Sequence, residues 1–121
     1  MRLCRILISL TAIILTSACN RVSLSDIRGT AWEGSYRQTG ISLVFITDDV
    51  LRSITVTPDH RLHSREWNFS VESNRILLRT QGRRAGYLTY ERDRIVCSPR
   101  DISLNQSTTE TIQFYRAASR R

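Results

Sequence analysis

The sequence predicts an all-β fold: a small antiparallel up-and-down β-barrel of about eight strands. Three observations carry this expectation. From Thr30 onward, short half-apolar runs recur at intervals of about 8 to 12 residues, separated by turn-forming residues. Several of these runs alternate apolar and polar side chains, the two-residue period of a strand with one buried face. No segment carries the apolar period of an amphipathic helix. An open sheet of such strands would expose unpaired edge groups, whereas closure removes both edges and turns the alternating face into a core.

The chain ahead of the strands is organised differently. Met1, Arg2 and Arg5 give a positive start, Ile6 to Leu15 is almost unbroken hydrocarbon, and Thr16-Ser17-Ala18 supplies small residues before Cys19. That is the pattern of an export signal. The apolar stretch falls short of the roughly 20 residues a membrane-spanning helix needs. The run Leu15-Thr16-Ser17-Ala18-Cys19 resembles the bacterial lipoprotein signal, in which a diacylglycerol is attached to a cysteine thiol and the peptide is cut just before it. The resemblance implies a signal peptide over residues 1–18, lipidation of Cys19 with acyl chains such as palmitate, and a membrane anchor in the bacterial cell envelope, most simply at the outer membrane. Thr16 stands where the commonest pattern has Leu, Val or Ile, so plain secretion with cleavage after Ala18 is the other reading of the same residues.

Residues 19–29 form the lipidated N-terminus and a tether with one helical turn, capped by Ser23 or Ser25 and ended by Gly29. The barrel domain spans residues 30–117. Trp32, Gly34 and Tyr36 alternate in the first strand, around residues 31–37, and Gln38-Thr39-Gly40 turns it. In the second, from Ile41 to Thr47, Ile41, Leu43 and Phe45 share a face, and Asp48-Asp49 turns the chain again. Val50, Ile54 and Val56 are in phase in the third, and Thr57-Pro58-Asp59-His60 carries proline at the second position of a type I turn. The fourth has the cleanest alternation, with Trp67, Phe69 and Val71 set against Asn68, Ser70 and Glu72.

Ser73-Asn74 leads into the fifth strand, Arg75 to Thr80, and Gln81-Gly82-Arg83-Arg84 leads out. Leu88 and Tyr90 mark the sixth, Glu91-Arg92-Asp93 a tight turn, and Ile95 with Cys97 the seventh; residues 85–97 also read as one long bent strand. Ser98-Pro99-Arg100-Asp101 signals another type I turn, followed by a polar loop through Thr109. Ile112 and Phe114 define the last strand, and residues 118–121 are a basic tail. With its tether and its first-strand run Gly29-Thr30-Ala31-Trp32-Glu33-Gly34, the chain resembles small lipocalin-like lipoproteins of the Bacteroidetes type. The resemblance implies the barrel and the anchor. Gly29 and Trp32 stand three apart where true lipocalins have two, so no lipocalin ligand comes with it.

All 18 basic residues are arginine against 11 acids, and the formal charge of +7 falls by two when Arg2 and Arg5 leave with the signal. The guanidinium fork matches phosphate or carboxylate. The absence of any dense basic run argues against nucleic acid as partner. In an eight-stranded meander the turns alternate between the two ends. The odd-numbered turns gather Arg37, Arg61, Arg83, Arg84 and Arg100 against Asp59 and Asp101. The even-numbered turns gather Asp48, Asp49, Glu72, Glu91 and Asp93 with Arg75, Arg92 and Arg94. The tether joins the even end, and the last strand finishes there, bringing Arg120 and Arg121 near lipid headgroups. Arg61, Arg83, Arg84 and Arg100 are therefore the expected contacts for an anionic envelope polymer or protein partner beyond the membrane.

Catalysis has little support. There is no nucleophile elbow, phosphate loop or paired-cysteine motif. His60 and His63 lie near Asp59 and Glu66, but strand residues three apart face opposite ways and spacing fixes no third metal ligand. Asp48-Asp49 lacks the glycine and spaced acids of a calcium loop. No metal or cofactor is expected. Cys97 ends the apolar run Ile95-Val96-Cys97 and reads as a buried thiol acting as a small hydrophobe. Trp32, Tyr36, Trp67 and Phe69 are expected to fill the interior rather than line a cavity. The expected function is a non-catalytic, membrane-anchored binding or interaction module, and the alternative is a carrier of a small hydrophobic ligand inside the barrel.

Overall fold

Each strand pairs with the next in sequence and the last returns to the first, closing an eight-stranded antiparallel barrel. The structure is a computed structural model and describes residues 21–91, 93–104 and 110–117. The strands are β1 (Ala31–Tyr36), β2 (Thr39–Phe45), β3 (Val50–Val56), β4 (Leu62–Glu72), β5 (Arg75–Thr80), β6 (Arg83–Glu91), β7 (Arg94–Cys97) and β8 (Ile112–Arg116). The export segment, Cys19, Arg92 and the tail with Arg120 and Arg121 lie outside the described residues.

Period-two alternation decides what fills the interior. Trp32, Leu43, Phe45, Leu51, Trp67, Ile76, Leu78, Leu88, Ile95 and Phe114 are fully buried. Phe45 meets Phe69 edge-on at 5.2 Å, and Trp32 meets Tyr90 at 6.0 Å. The aromatic residues thus pack the core as the sequence suggested, with Tyr36 half-buried at its edge.

The even end is plugged by the tether. Helix α1 (Leu24–Ile27) starts after Ser23, whose N–H donates to the Asp26 carboxylate at 3.2 Å, and Gly29 leaves it at φ 69. Val22 and Ile27 are buried against the core, and the Val22 N–H donates to the Ser73 carbonyl at 2.9 Å. The odd end is partly covered by a 3-10 helix, Pro99–Ile102. Its Asp101 carboxylate accepts from the Ser98 N–H at 2.9 Å and the Tyr87 N–H at 3.3 Å, while Ile102 is buried in the core.

The sixth and seventh strands are separate, as the eight-strand reading expected. Several other elements differ from the sequence expectation. The first turn is Arg37-Gln38, both at positive φ, and Thr39-Gly40 already pairs within β2. This is the left-handed two-residue hairpin geometry, set by strand register rather than by the nearby glycine. On β3 the inner face is Leu51 and Ser53, and Val50, Ile54 and Val56 lie on the other face, at best half-buried. Ser98-Pro99-Arg100-Asp101 opens a 3-10 helix instead of ending in a simple turn, because Pro99 suits its first position and Asp101 caps it. Arg83 and Arg84 belong to β6, since the turn is only Gln81-Gly82, again at positive φ.

Candidate functional site

The β3–β4 hairpin is longer than its apolar face. β4 runs from Leu62, but its buried side chains begin only at Trp67. Carrying period two backwards from Trp67 puts Arg65 and His63 on the inner face, opposite Ser53 and Thr55 of β3 in the register. On the β3–β4 side the interior therefore changes character toward the odd end, where hydroxyl, imidazole and guanidinium groups follow Leu51 and Trp67, while Ile41, Ile102 and Ile112 stay buried in the core.

Those groups border a mouth pocket of about 530 Å³. Its walls include Thr39, Ser53, Thr55, Thr57, His63 and Arg65, together with the apolar Leu62, Ile102 and Leu104. Ser53 is 5% exposed and accepts a hydrogen bond from the Trp67 indole N–H at 3.3 Å, which satisfies a polar group that burial would otherwise penalise. The Arg65 guanidinium lies 5.6 Å from the Trp67 ring centre. Among the described residues it has no carboxylate within ion-pair distance, while Arg28, Arg37, Arg52, Arg61 and Arg94 each have one. A cation held by a ring face keeps its N–H edges for an anion.

The arginines singled out from the sequence all lie toward the odd end, in different settings. Arg61 sits in the β3–β4 loop, paired with Asp59 at 3.2 Å. Arg37 pairs with Glu110 at 2.9 Å, and Arg100 is exposed on the 3-10 helix. Arg83 and Arg84 part company: Arg83 stands opposite Thr80, and Arg84 stands opposite Arg79 on the outer wall. Asp101 makes no ion pair at this rim among the described residues; its oxygens accept from the Ser98 N–H and hydroxyl and from the Tyr87 N–H. Arg65 escaped the sequence reading, and His63 enters it only as a candidate metal ligand, although the period running back from Trp67 places both on the inner face.

His60 occupies the loop at φ 67, away from the strand position of His63. Among the described residues no three His, Cys, Asp or Glu side chains converge as metal ligands. Cys97 is 5% exposed, and burial first, then the Asp101 carboxylate, push its thiol well above the usual range. It packs as a small hydrophobe.

No protein-family model matches the sequence, and no curated protein matches it. Among solved structures, a similar chain is a lipocalin lipoprotein affecting virulence in Streptococcus pneumoniae. It is 20% identical with a TM-score of 0.49, over 78% of this chain and 98% of that one. That likeness is too distant to bear on ligand or role. The barrel here stands on its own strand register.

Proposed function

We propose that this protein is a non-catalytic binding module of a bacterial envelope, held at the outer membrane by a lipid on Cys19, whose barrel mouth receives an anionic group of an envelope polymer or protein. The observation that carries this reading is Arg65, exposed at the pocket, set over the Trp67 ring and without a carboxylate ion pair among the described residues, beside the hydroxyls of Ser53, Thr55 and Thr57. Arg61, Arg83 and Arg100 at the same end supply a positive approach to it. The alternative, a carrier of a small hydrophobic ligand, has less support. The apolar part of the interior is filled by Trp32, Phe45, Trp67 and Phe114, and the pocket that remains at the mouth is of mixed polar and apolar lining.

A chain starting at residue 19 keeps every described element, so Cys19→Ser in that chain gives an unacylated protein for titration. Calorimetry with inorganic phosphate, and with soluble polyphosphate as a polymeric anion, tests the mouth. Binding is expected to weaken with salt and to drop about tenfold or more in Arg65→Gln, the scale of a hydrogen bond to a charged group. Phosphate binding that is absent, or indifferent to Arg65→Gln, removes the mouth as an anion site. The anchor is tested separately by mass spectrometry of the membrane fraction, where an unacylated N-terminus at Cys19 overturns it.

A further inference from the structure

A second cationic surface lies outside the barrel, away from the mouth. On β5 the inward residues are Ile76 and Leu78, so Arg75, Leu77 and Arg79 lie on the outer side, where the two arginines are exposed and Leu77 is covered. On β6 the bulge near Leu78 and Arg79 brings Arg84 directly opposite Arg79 in the register. Two guanidinium-bearing residues facing each other across a ladder repel, and the strand pair gains nothing from the arrangement. Arg75 lies at the other end of the same wall, about 13 Å away along the strand. Its guanidinium sits over the exposed Tyr87 ring at 4.6 Å.

The neighbouring acids offset this wall only in part. Glu66 of β4 is paired with Arg52 at 2.5 Å, and Glu91 of β6 with Arg94 at 3.0 Å. Glu72 stands opposite Arg75 without forming an ion pair, and Asn68 stands opposite Arg79. Among the described residues no carboxylate pairs with Arg75, Arg79 or Arg84. Three arginines and one tyrosine stacked by Arg75 therefore share one outer face, an arrangement that attracts phosphate groups and offers an amphipathic ring to the headgroups.

We infer that this β5–β6 wall docks side-on against an anionic phospholipid surface. The route of the chain favours a membrane over a soluble polyanion. Val22 is hydrogen-bonded to Ser73 in the β4–β5 turn, two residues from Arg75. Cys19, three residues before Val22, lies within about 10 Å of that turn at full extension. An anchor there holds the base of the wall at the headgroups. An upright posture would instead press the even-end turns onto the same negative surface, where Arg28 offsets Asp48 but Asp49 and Asp93 have no ion-pair partner among the described residues. Tilting toward β5–β6 exchanges those acids for the arginines. The posture rests on the lipid-anchor reading above, but the docking surface is testable without the lipid.

The unacylated chain from residue 19 is mixed with vesicles of neutral phosphatidylcholine and with vesicles one-third phosphatidylglycerol, and the bound fraction is read by co-flotation. Binding is expected only to the anionic vesicles, weakening with salt. In Arg75→Gln/Arg79→Gln/Arg84→Gln it falls roughly a hundredfold, each arginine near such a surface being worth about fivefold. The mouth variant Arg61→Gln/Arg83→Gln/Arg100→Gln removes as many charges and should keep most of the binding, with thermal unfolding confirming that both fold. Equal loss in the two variants would mean attraction by net charge alone and overturns the wall. So does equal binding to neutral vesicles. Polyphosphate binding that the wall variant loses, with no vesicle binding, assigns the wall to a soluble polymer and overturns the membrane. An unacylated Cys19 in the mass spectrum would end the anchor while leaving these vesicle results intact.

Discussion

The Arg116 guanidinium lies 5.0 Å from the Trp32 ring centre, and the two residues stand directly opposite each other where β8 closes on β1. This pair joins three parts of the fold. The Trp32 indole N–H donates to Thr30 Oγ1 at 2.8 Å, and that hydroxyl donates in turn to the Ile27 carbonyl at 2.6 Å. Arg116 Nη2 donates to the Asp26 carbonyl at 3.1 Å. The seam of the barrel and the helix plugging its even end are therefore held by one stacked pair and the helix carbonyls it reaches.

Replacing Arg116 with alanine should cost about 1–2 kcal/mol in urea unfolding, from the lost stacking and the lost bond to Asp26. Arg116→Lys should recover little, because an ammonium cannot both stack flat and reach the carbonyl. A double-mutant cycle with Trp32→Phe would isolate the pair. Additive losses would show that the two do not act together.

The same seam depends on a missing side chain. A Cβ on Gly34 would lie 2.6 Å from the Gln113 carbonyl oxygen and 3.0 Å from the Phe114 ring, so Gly34→Ala must push β8 away from β1. A loss of about 1–3 kcal/mol is expected, the scale of overpacking. Gly40 provides the contrast: nothing lies within 4 Å of its Cβ position, and its backbone is not left-handed. Gly40→Ala should be neutral or slightly stabilising, which paired denaturation curves would check.

The turn that Gly40 suggested in the sequence is instead made by Arg37 at φ 48 and Gln38 at φ 68. A side chain in that region is strained by roughly 1 kcal/mol, and glycine relieves the strain. Gln38→Gly should therefore raise the unfolding midpoint, with Arg37 left in place because it pairs with Glu110. A lowered midpoint would mean that Gln38 contributes something beyond its backbone.

What the sequence disclosed, and what it hid, follows from where the core lies. Ile41-Leu43-Phe45 and Trp67-Phe69 announced their faces because both border the hydrocarbon half of the barrel. β3 misled because its inner face passes from Leu51 to Ser53 and Thr55 at the polar mouth, while Val50, Ile54 and Val56 lie on the outside. Counting apolar residues selects the wrong face wherever a strand lines a polar cavity. The mouth itself was legible in part: Arg61 and Arg100 follow from alternating turns, but Arg65 and His63 needed the period of Trp67 extended into a stretch with no apolar residue on that face. The parting of Arg83 and Arg84 depends on register beside a bulge, which composition does not encode.

Alkaline pH should destabilise the protein through two acids, the buried Cys97 thiol and the half-buried Tyr90 phenol. Burial, and then Asp101, raise the Cys97 thiol; burial, and then Asp26, raise the Tyr90 phenol. Each group keeps its proton to higher pH when folded than when unfolded, so its contribution is complete below the unfolded value and is lost as pH rises through the folded one. The decline should begin near the unfolded thiol value of about 8.5 and steepen near the phenol value of about 10. Urea midpoints measured across this window should fall for the natural chain, and Cys97→Ala should remove the earlier part of the fall while leaving the later part. Native Cys97 should also resist a thiol reagent at neutral pH until urea opens the barrel. Prompt labelling of the folded protein, or an equally early decline in Cys97→Ala, would mean that the thiol is not sealed in the core as its 5% exposure implies.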